Sequence, residues 1–434
     1  MAGIALPKAD FTEAGDAALG RGRIVHLAGR YSLSTIGPIA VSGAHFAASL
    51  IFLHRLLPAE FGLFAFLLVV VPFCLSISSG LLGAPLLSAV GKAEAVAEST
   101  GATLRDVNRA FCLFAGLAAA VLMWMGGAGA VNALLLGVYG AAMASRWFWR
   151  FSAYNANDPF RAAASDLVYS ICLLGGLSGF IATGRLSLET VSVALLASAL
   201  MGVAAFGWRF LKDQFRPMTL RSFAGYAPMW RDITRWSLMG VVLSEMTANA
   251  HAYLVTFISG AQAFALLAAG SLLMRPLLLV LSALTDRERP TMARFLAAGN
   301  IRGAMRVVTE FRIVAYAVWL ATVVLSIAIF VWYPHLVVRQ GFDARAVMVA
   351  VAIWSLIVAV RAARAPEAAF LQAAGAFHAL ARAGMAGSIV SLVGTLVILV
   401  VFGPVPSLGG ILAGEIAMSL SIVSLMRSWK RAHA

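Results

Sequence analysis

The chain has 434 residues, 61% of them hydrophobic and 12% charged, with a mean hydropathy of +0.88 and a formal net charge of +14. Soluble domains carry roughly 25% charged residues, so the composition excludes a water-soluble globular protein and places the chain in a membrane. The basic excess reads as membrane topology and attraction to anionic lipid, not as nucleic-acid binding. The first thirty residues carry Asp10, Glu13 and Asp16 and lack the compact apolar core of a secretory signal. Cys74, Cys112 and Cys172 lie within apolar runs without ligand spacing and read as small buried hydrophobes.

A spanning helix needs about 20 apolar residues. On that basis twelve spans are predicted, in chain order near 33–53, 61–90, 110–126, 129–147, 164–183, 188–210, 236–258, 262–284, 312–333, 345–363, 384–402 and 406–426. The second is long and interrupted by Pro72 and Pro85, and with Pro38 and Pro276 these prolines are expected to bend their helices. Between the sixth and seventh spans lies 211–235, "LKDQFRPMTLRSFAGYAPMWRDITR", which reads as a charged interfacial linker with Phe223, Tyr226 and Trp230 as anchors. Gly- and Ala-rich stretches such as 116–130 are expected to bring helices close together.

Of the 33 Lys and Arg residues, 28 fall on the side of the N-terminus when the spans alternate; Arg361 and Arg364 are counted there. The opposite side holds only Arg55, Arg185, Arg339 and Arg345, and Arg275 falls within a span. Basic residues concentrate in cytoplasmic loops, so both termini are expected in the cytoplasm. Two span entrances also echo each other, Arg30-Tyr31-Ser32-Leu33 and Arg235-Trp236-Ser237-Leu238. Each is followed by a similar restart, "EFGLFAF" at 60–66 and "QAFALLA" at 262–268, and then by Pro72 or Pro276. This register predicts a duplication: a six-helix lobe over 1–210, the linker 211–235 and a second lobe over 236–434. Six is an even number, so the lobes share an orientation and are related by an axis along the membrane normal, with a site between them.

Four stretches, "LLPAEFGLFAFLL" at 56–68, "RWFWRFSAYNANDPFRAAASDLVY" at 146–169, "RPLLLVLSALTDRERPTMAR" at 275–294 and "LQAAGAFHALARAG" at 371–384, fall in order along this twelve-span chain. In these the sequence resembles the polysaccharide (oligosaccharidyl-lipid) flippases of the multidrug/oligosaccharidyl-lipid/polysaccharide exporter superfamily, over nearly its whole length. The resemblance implies a flippase that carries a polyprenyl-diphosphate-linked oligosaccharide from the inner to the outer leaflet of the bacterial inner membrane by alternating access. It further implies membrane lipids, a polysaccharide polymerase and export machinery as partners.

The ionisable groups within spans are the site candidates, since a charge at mid-bilayer costs about 2.5–3.5 kcal/mol on insertion scales. Arg275 comes first: its guanidinium presents a planar fork of donors that suits a lipid diphosphate. The alternatives are an ion pair with a membrane carboxylate, or bonds to carbonyls freed by Pro276. His45 and His251, in the first and seventh spans, can add a hydrogen bond or a charge to the same ligand, or serve in packing. Arg30 and Arg235 read as a basic mouth or as topology anchors. Arg146 and Arg150, beside Trp147 and Trp149, read as an interfacial belt with phosphate capture second, and Asp166 as a local partner of Arg161 or a partner of the helix N-terminal dipole. Glu245, set among Ser244, Thr247 and Asn249, and Glu415 are candidates for coupling to H+ or Na+, or for pairing with Arg275; Asn249 is also a glycan-binding candidate.

No cofactor is expected. G-x-x-x-x-G-K-[ST] and H-E-x-x-H are both missing from the sequence. Short outer loops disfavour a membrane glycan polymerase or ligase. A cation-coupled multidrug exporter of the same superfamily is the nearer alternative, disfavoured by the scarcity of membrane carboxylates and by the central arginine.

Overall fold

The computed structural model describes residues 17–83, 85–86, 94–156, 158–214, 218, 220–338 and 342–433, and most of their side chains from Ile36 onward. All regular structure in these residues is helical, as lipid requires: with no water to bond, each backbone N–H and C=O must be satisfied within its own segment. The first lobe comprises α1 (Ala17–Arg55), α2 (Pro58–Ser78), α3 (Glu94–Met125), α4 (Ala130–Asn155), α5 (Pro159–Ala182) and α6 (Leu188–Ala204). Two short helices follow, α7 (Trp208–Gln214) and α8 (Leu220–Met229). The second lobe comprises α9 (Arg235–Ser259), α10 (Ala261–Leu272), α11 (Arg275–Ala297), α12 (Ile301–Trp332), α13 (Ala344–Ala373), α14 (Phe377–Phe402) and α15 (Pro404–His433). With α10 and α11 counted as one broken span, the described residues hold two sets of six long helical elements, of which up to nine are long and apolar enough to cross a membrane.

The turns are written in residues that cap helices. Asp158 accepts from the Arg161 amide before Pro159 opens α5, Ser187 accepts from the Thr190 amide ahead of α6, and Asn300 from the Gly303 amide ahead of α12. Gly260, at φ 86°, makes the reversal from α9 to α10 that a side chain would resist. Helices α1 and α3 begin well before the apolar runs at 33 and 110. Hydropathy sees only the lipid-facing portion of a helix that continues past the bilayer.

Within the first lobe α1 packs on α5, α3 on α4, and α6 on both α4 and α5. In the second, α14 and α13 pack on α15, α9 on α14, and α12 on α11 and α13. Small residues allow the closest of these approaches: Gly116 meets Gly137, and Gly394 and Gly414 meet Gly410 and Ser391. The lobes meet where α2 packs against α9 and α10. A Cβ at Gly62 would fall on the Ala261 carbonyl, and the Phe66 ring lies 5.3, 5.6 and 6.3 Å from the rings of Tyr253, Phe257 and Phe264. The two echoing segments of the sequence thus face each other across the seam.

Three expectations change. Pro72 does not interrupt α2, which continues through it into a single π-helical turn at Ser79–Gly83. The eighth span is two helices, bent by 59° between Leu272 and Arg275. In the linker Phe223 and Trp230 are exposed, as interfacial anchors should be, but Tyr226 is buried. Its hydroxyl donates to the Leu81 carbonyl at 2.7 Å and lies 3.2 Å from Thr234 Oγ1, while Ser222 Oγ donates to Asp106 Oδ2 at 2.6 Å. Helix α8 is thereby clasped under the ends of α2 and α3.

Candidate functional site

Arg275 is the first residue of α11, directly after the bend. Pro276 follows within the first helical turn, where its missing N–H is no loss. The Met274 amide bonds back to the Ser271 carbonyl, closing the break without the arginine. The guanidinium instead crosses the seam: Nη1 donates to Ser49 Oγ of α1 at 3.2 Å, and Ser49 Oγ donates to the His45 carbonyl at 2.7 Å. Among the described residues no carboxylate pairs with Arg275. An always-charged group in an apolar seam therefore meets one hydroxyl and open space.

The open space is two cavities that share Arg275 and Leu278. The larger, about 640 Å³, lies between α1, α2 and α11, with Pro38, Ser42, His45, Phe46, Pro72 and Leu279 on its walls. Ile39 and Leu279 at its edge are 68% and 54% exposed, so it opens sideways onto lipid-facing surface. The smaller, about 200 Å³, reaches into the second lobe between α2, α9, α10 and α13; Asn249, His251, Ser271, Trp354 and Arg361 line it. Trp354 donates through Nε1 to the Leu267 carbonyl at 3.0 Å and holds its ring 5.5 Å from His251. Arg361 and Ala248 in turn also line a third cavity, about 530 Å³, between α13, α14 and α15. There Glu415 receives Arg361 Nε at 2.6 Å and Arg364 Nη2 at 2.7 Å.

The first lobe holds a second polar cluster behind His45. His45 Nε2 lies 2.6 Å from Tyr169 Oη, which lies 3.0 Å from Tyr139 Oη. The Arg146 guanidinium stands 4.3 Å over the Tyr169 ring. It donates from Nε to Ser165 Oγ at 3.1 Å and from Nη2 to Asp166 Oδ1 at 2.5 Å. Arg150 completes the cluster, with Nε 3.0 Å from the same oxygen.

The predicted site residues are thus distributed as follows. Arg275, His45, His251 and Asn249 converge on the two joined cavities. Arg235 is exposed at the start of α9, away from them, and the Arg30 side chain lies outside the described residues. Glu245 does not pair with Arg275: it accepts from Ser76 Oγ at 2.7 Å, across the seam, and from Asn249 Nδ2 at 2.8 Å. Nor does Glu415, which both arginines of α13 occupy. Arg361 and Arg364, placed by topology among the basic residues outside the bilayer, instead line the cavity between α13, α14 and α15, and α13 continues to Ala373, beyond the predicted end at 363. Arg146 and Arg150 are not an interfacial belt; Arg146 is 1% exposed. Asp166 serves them and not Arg161, which pairs with Asp158. One signal for Arg361 and Arg364 was available, a pair one turn apart in a segment that stays apolar on both sides. Tyr139 and Tyr169 carried none.

No protein-family model and no curated protein sequence matches the chain. Solved structures do. An inward-facing multidrug-resistance MATE-family transporter of the MOP superfamily matches with a TM-score of 0.66 at 13% identity, covering 92% of this chain and 95% of that one. The lipid II flippase MurJ, in an inward closed conformation, matches with a TM-score of 0.65 at 11% identity, covering 92% and 87%. A MOP-superfamily transporter from Pyrococcus furiosus, described by the reverse polarity of its binding pocket, gives 0.59 at 16%, covering 93% and 95%. A MATE transporter in its outward-facing conformation scores lower, 0.57. The chain is a multi-pass membrane protein with the twelve-helix, two-lobed fold of the MOP-superfamily transporters.

Proposed function

We propose that the chain is a flippase for a polyprenyl-diphosphate-linked oligosaccharide, moving it from the inner to the outer leaflet of the bacterial inner membrane for surface polysaccharide synthesis. One observation carries the reading: the guanidinium of Arg275 lies free of any described carboxylate at the junction of a lipid-facing cleft and an internal cavity. A lipid diphosphate is the ligand that needs both. Its polyprenyl chain would lie along Ile39, Phe46 and Leu279, its phosphates against Arg275 and Ser49, and its sugars beside His251 and Asn249. His45, fixed by Tyr169, faces the same cleft. Binding energy from a guanidinium–phosphate fork offsets the insertion cost of the arginine only when ligand is present.

Transport follows from the seam. The lobes touch at Gly62 and Ala261 and leave the cleft between α1 and α11; rocking about α2 and α10 would close that cleft and open its counterpart. Both termini lie in the cytoplasm by the basic asymmetry, and a downstream polymerase and export machinery would draw product away. A proton or sodium gradient is the alternative drive, and Glu245 is the carboxylate suited to it. It bridges the lobes through neutral partners only, whereas Glu415 is held by two cations. Multidrug transporters share the fold, and a pocket of reversed polarity is described for one relative. Here the cavities carry arginines, which fit an anionic substrate.

Charge reversal is the test. Arg275→Glu should abolish surface polysaccharide while the protein still inserts and accumulates in the membrane. Purified Arg275→Gln should lose saturable binding of inorganic diphosphate. Normal polysaccharide from the reversed variant would overturn the reading.

A further inference from the structure

The third cavity is not needed to hold a diphosphate at Arg275, yet its wall is built from two arginines and one carboxylate. From this geometry we infer that the second lobe contains a separate subsite for a carboxylate-bearing sugar, so that the transported glycan is acidic. The inference rests on the flippase reading for its substrate but on different residues for its site.

Charge comes first. Arg361 and Arg364 contribute two positive charges and Glu415 one negative, so the cavity retains a net charge of one, matched by one carboxylate and exceeded by a phosphate dianion. Geometry points the same way. Glu415 spends one oxygen on each guanidinium, taking Nε of Arg361 and Nη2 of Arg364. The terminal nitrogens of Arg361 hold no partner among the described residues, and Arg364 Nε is buried without one. Such donors cost free energy until something accepts from them. A second carboxylate is an acceptor of the shape the first already demonstrates.

The rest of the wall suits a sugar ring. Gln372 and Ser388 offer hydrogen bonds to hydroxyls, and Met385 and Met418 offer apolar, adaptable faces. At about 530 Å³ the cavity lies within the range of ordinary ligand sites. Its position also fits. Arg361 lines both this cavity and the one beside Arg275, so a glycan whose diphosphate rests at Arg275 can extend past His251 into it.

The test titrates the purified full chain, in nanodiscs, with glucuronate, glucose, inorganic phosphate and inorganic diphosphate, following tryptophan fluorescence and calorimetry. Glucuronate should bind saturably and at least about tenfold more tightly than glucose or phosphate, the size of one charge-assisted contact. Arg364→Gln should weaken glucuronate about tenfold and leave diphosphate binding in place; Arg275→Gln should do the reverse. Glu415→Gln separates a ligand site from a structural clamp. Freed of their internal carboxylate, the two arginines should bind glucuronate more tightly, whereas a clamp would come apart and bind less. Glucuronate no tighter than phosphate, or weakened by Glu415→Gln, overturns the acidic-sugar subsite while the Arg275 reading stands. Absence of diphosphate binding by the unaltered chain, with glucuronate still bound, would sink that reading and leave this one.

Discussion

Each lobe carries two arginines one turn apart on its fourth span, and in each a single carboxylate from another helix of the lobe holds both. In the first lobe these are Arg146 and Arg150 with Asp166; in the second, Arg361 and Arg364 with Glu415. The charges are the same and the surroundings are not. The Arg146 and Asp166 side chains are 2% and 0% exposed, with Ser165, Met143 and the Tyr169 ring around the guanidinium. The side chains of Arg361 and Arg364 are 20% and 18% exposed and border a cavity. Built around the enclosed Arg146–Asp166 pair, the constellation is a strut that ties α4 to α5. Bordering a cavity, it keeps donors to spare for a ligand. Net charge alone would not tell the two apart; the cavity beside the second does.

Removing the carboxylates should break the symmetry most visibly. Asp166→Ala leaves the buried Arg146 guanidinium without its carboxylate beside a part-exposed Arg150, and breaking a buried pair in this way costs about 3–5 kcal/mol. The expected result is a large drop in monodisperse protein and in unfolding temperature in detergent. Glu415→Ala leaves its arginines next to a cavity that can admit water, so its unfolding temperature should move far less. Equal losses in the two variants would mean that both clusters are struts.

How much of this was legible in the sequence depends on how local the signal was. Arg275 stood out because a lone charge within an apolar run is costly, whereas the echo of "EFGLFAF" in "QAFALLA" was read as a duplication and did not show that the two segments pack on each other. The partners were not legible. Asp166 has Arg161 close by in sequence, and only the packing of α4 against α5 turns its carboxylate to Arg146 instead. Arg361 and Arg364 were hidden by a span boundary. Ten residues separate the predicted end at 363 from the end of α13 at Ala373; Arg364 falls in that margin, and Arg361, two residues before the predicted end, was counted outside with it. The break at Met274 was hidden for the opposite reason, since apolar composition continues smoothly across it.

The seam offers a test of intermediate size. A side chain at Gly62 must displace the backbone of Ala261, and overpacking of this kind costs about 1–3 kcal/mol. Gly62→Val should therefore disfavour the state in which α2 and α10 touch, by about tenfold for each 1.4 kcal/mol. Spin labels at the exposed positions Ala59 and Gln262, at the starts of the two helices, should report a shift to longer distances. An unchanged distribution would show that the seam is not the contact that rocking must break.

The smallest expected effect probes the link between the strut and the cleft. Tyr169 is fully buried, takes the Arg146 guanidinium on its ring face and meets His45 through its hydroxyl. Tyr169→Phe keeps the ring and removes only the hydroxyl, so the strut survives while His45 loses the group that orients it. A net cost of about 1 kcal/mol is expected for the lost hydrogen bond. The unfolding temperature should fall slightly, and diphosphate affinity at Arg275 should weaken a few-fold as His45 turns away. Tyr139→Phe, one bond further from the cleft, should cost similar stability without touching affinity. If both variants change affinity equally, the first-lobe cluster shapes the cleft as a whole; if neither does, His45 stands beside Arg275 only as packing.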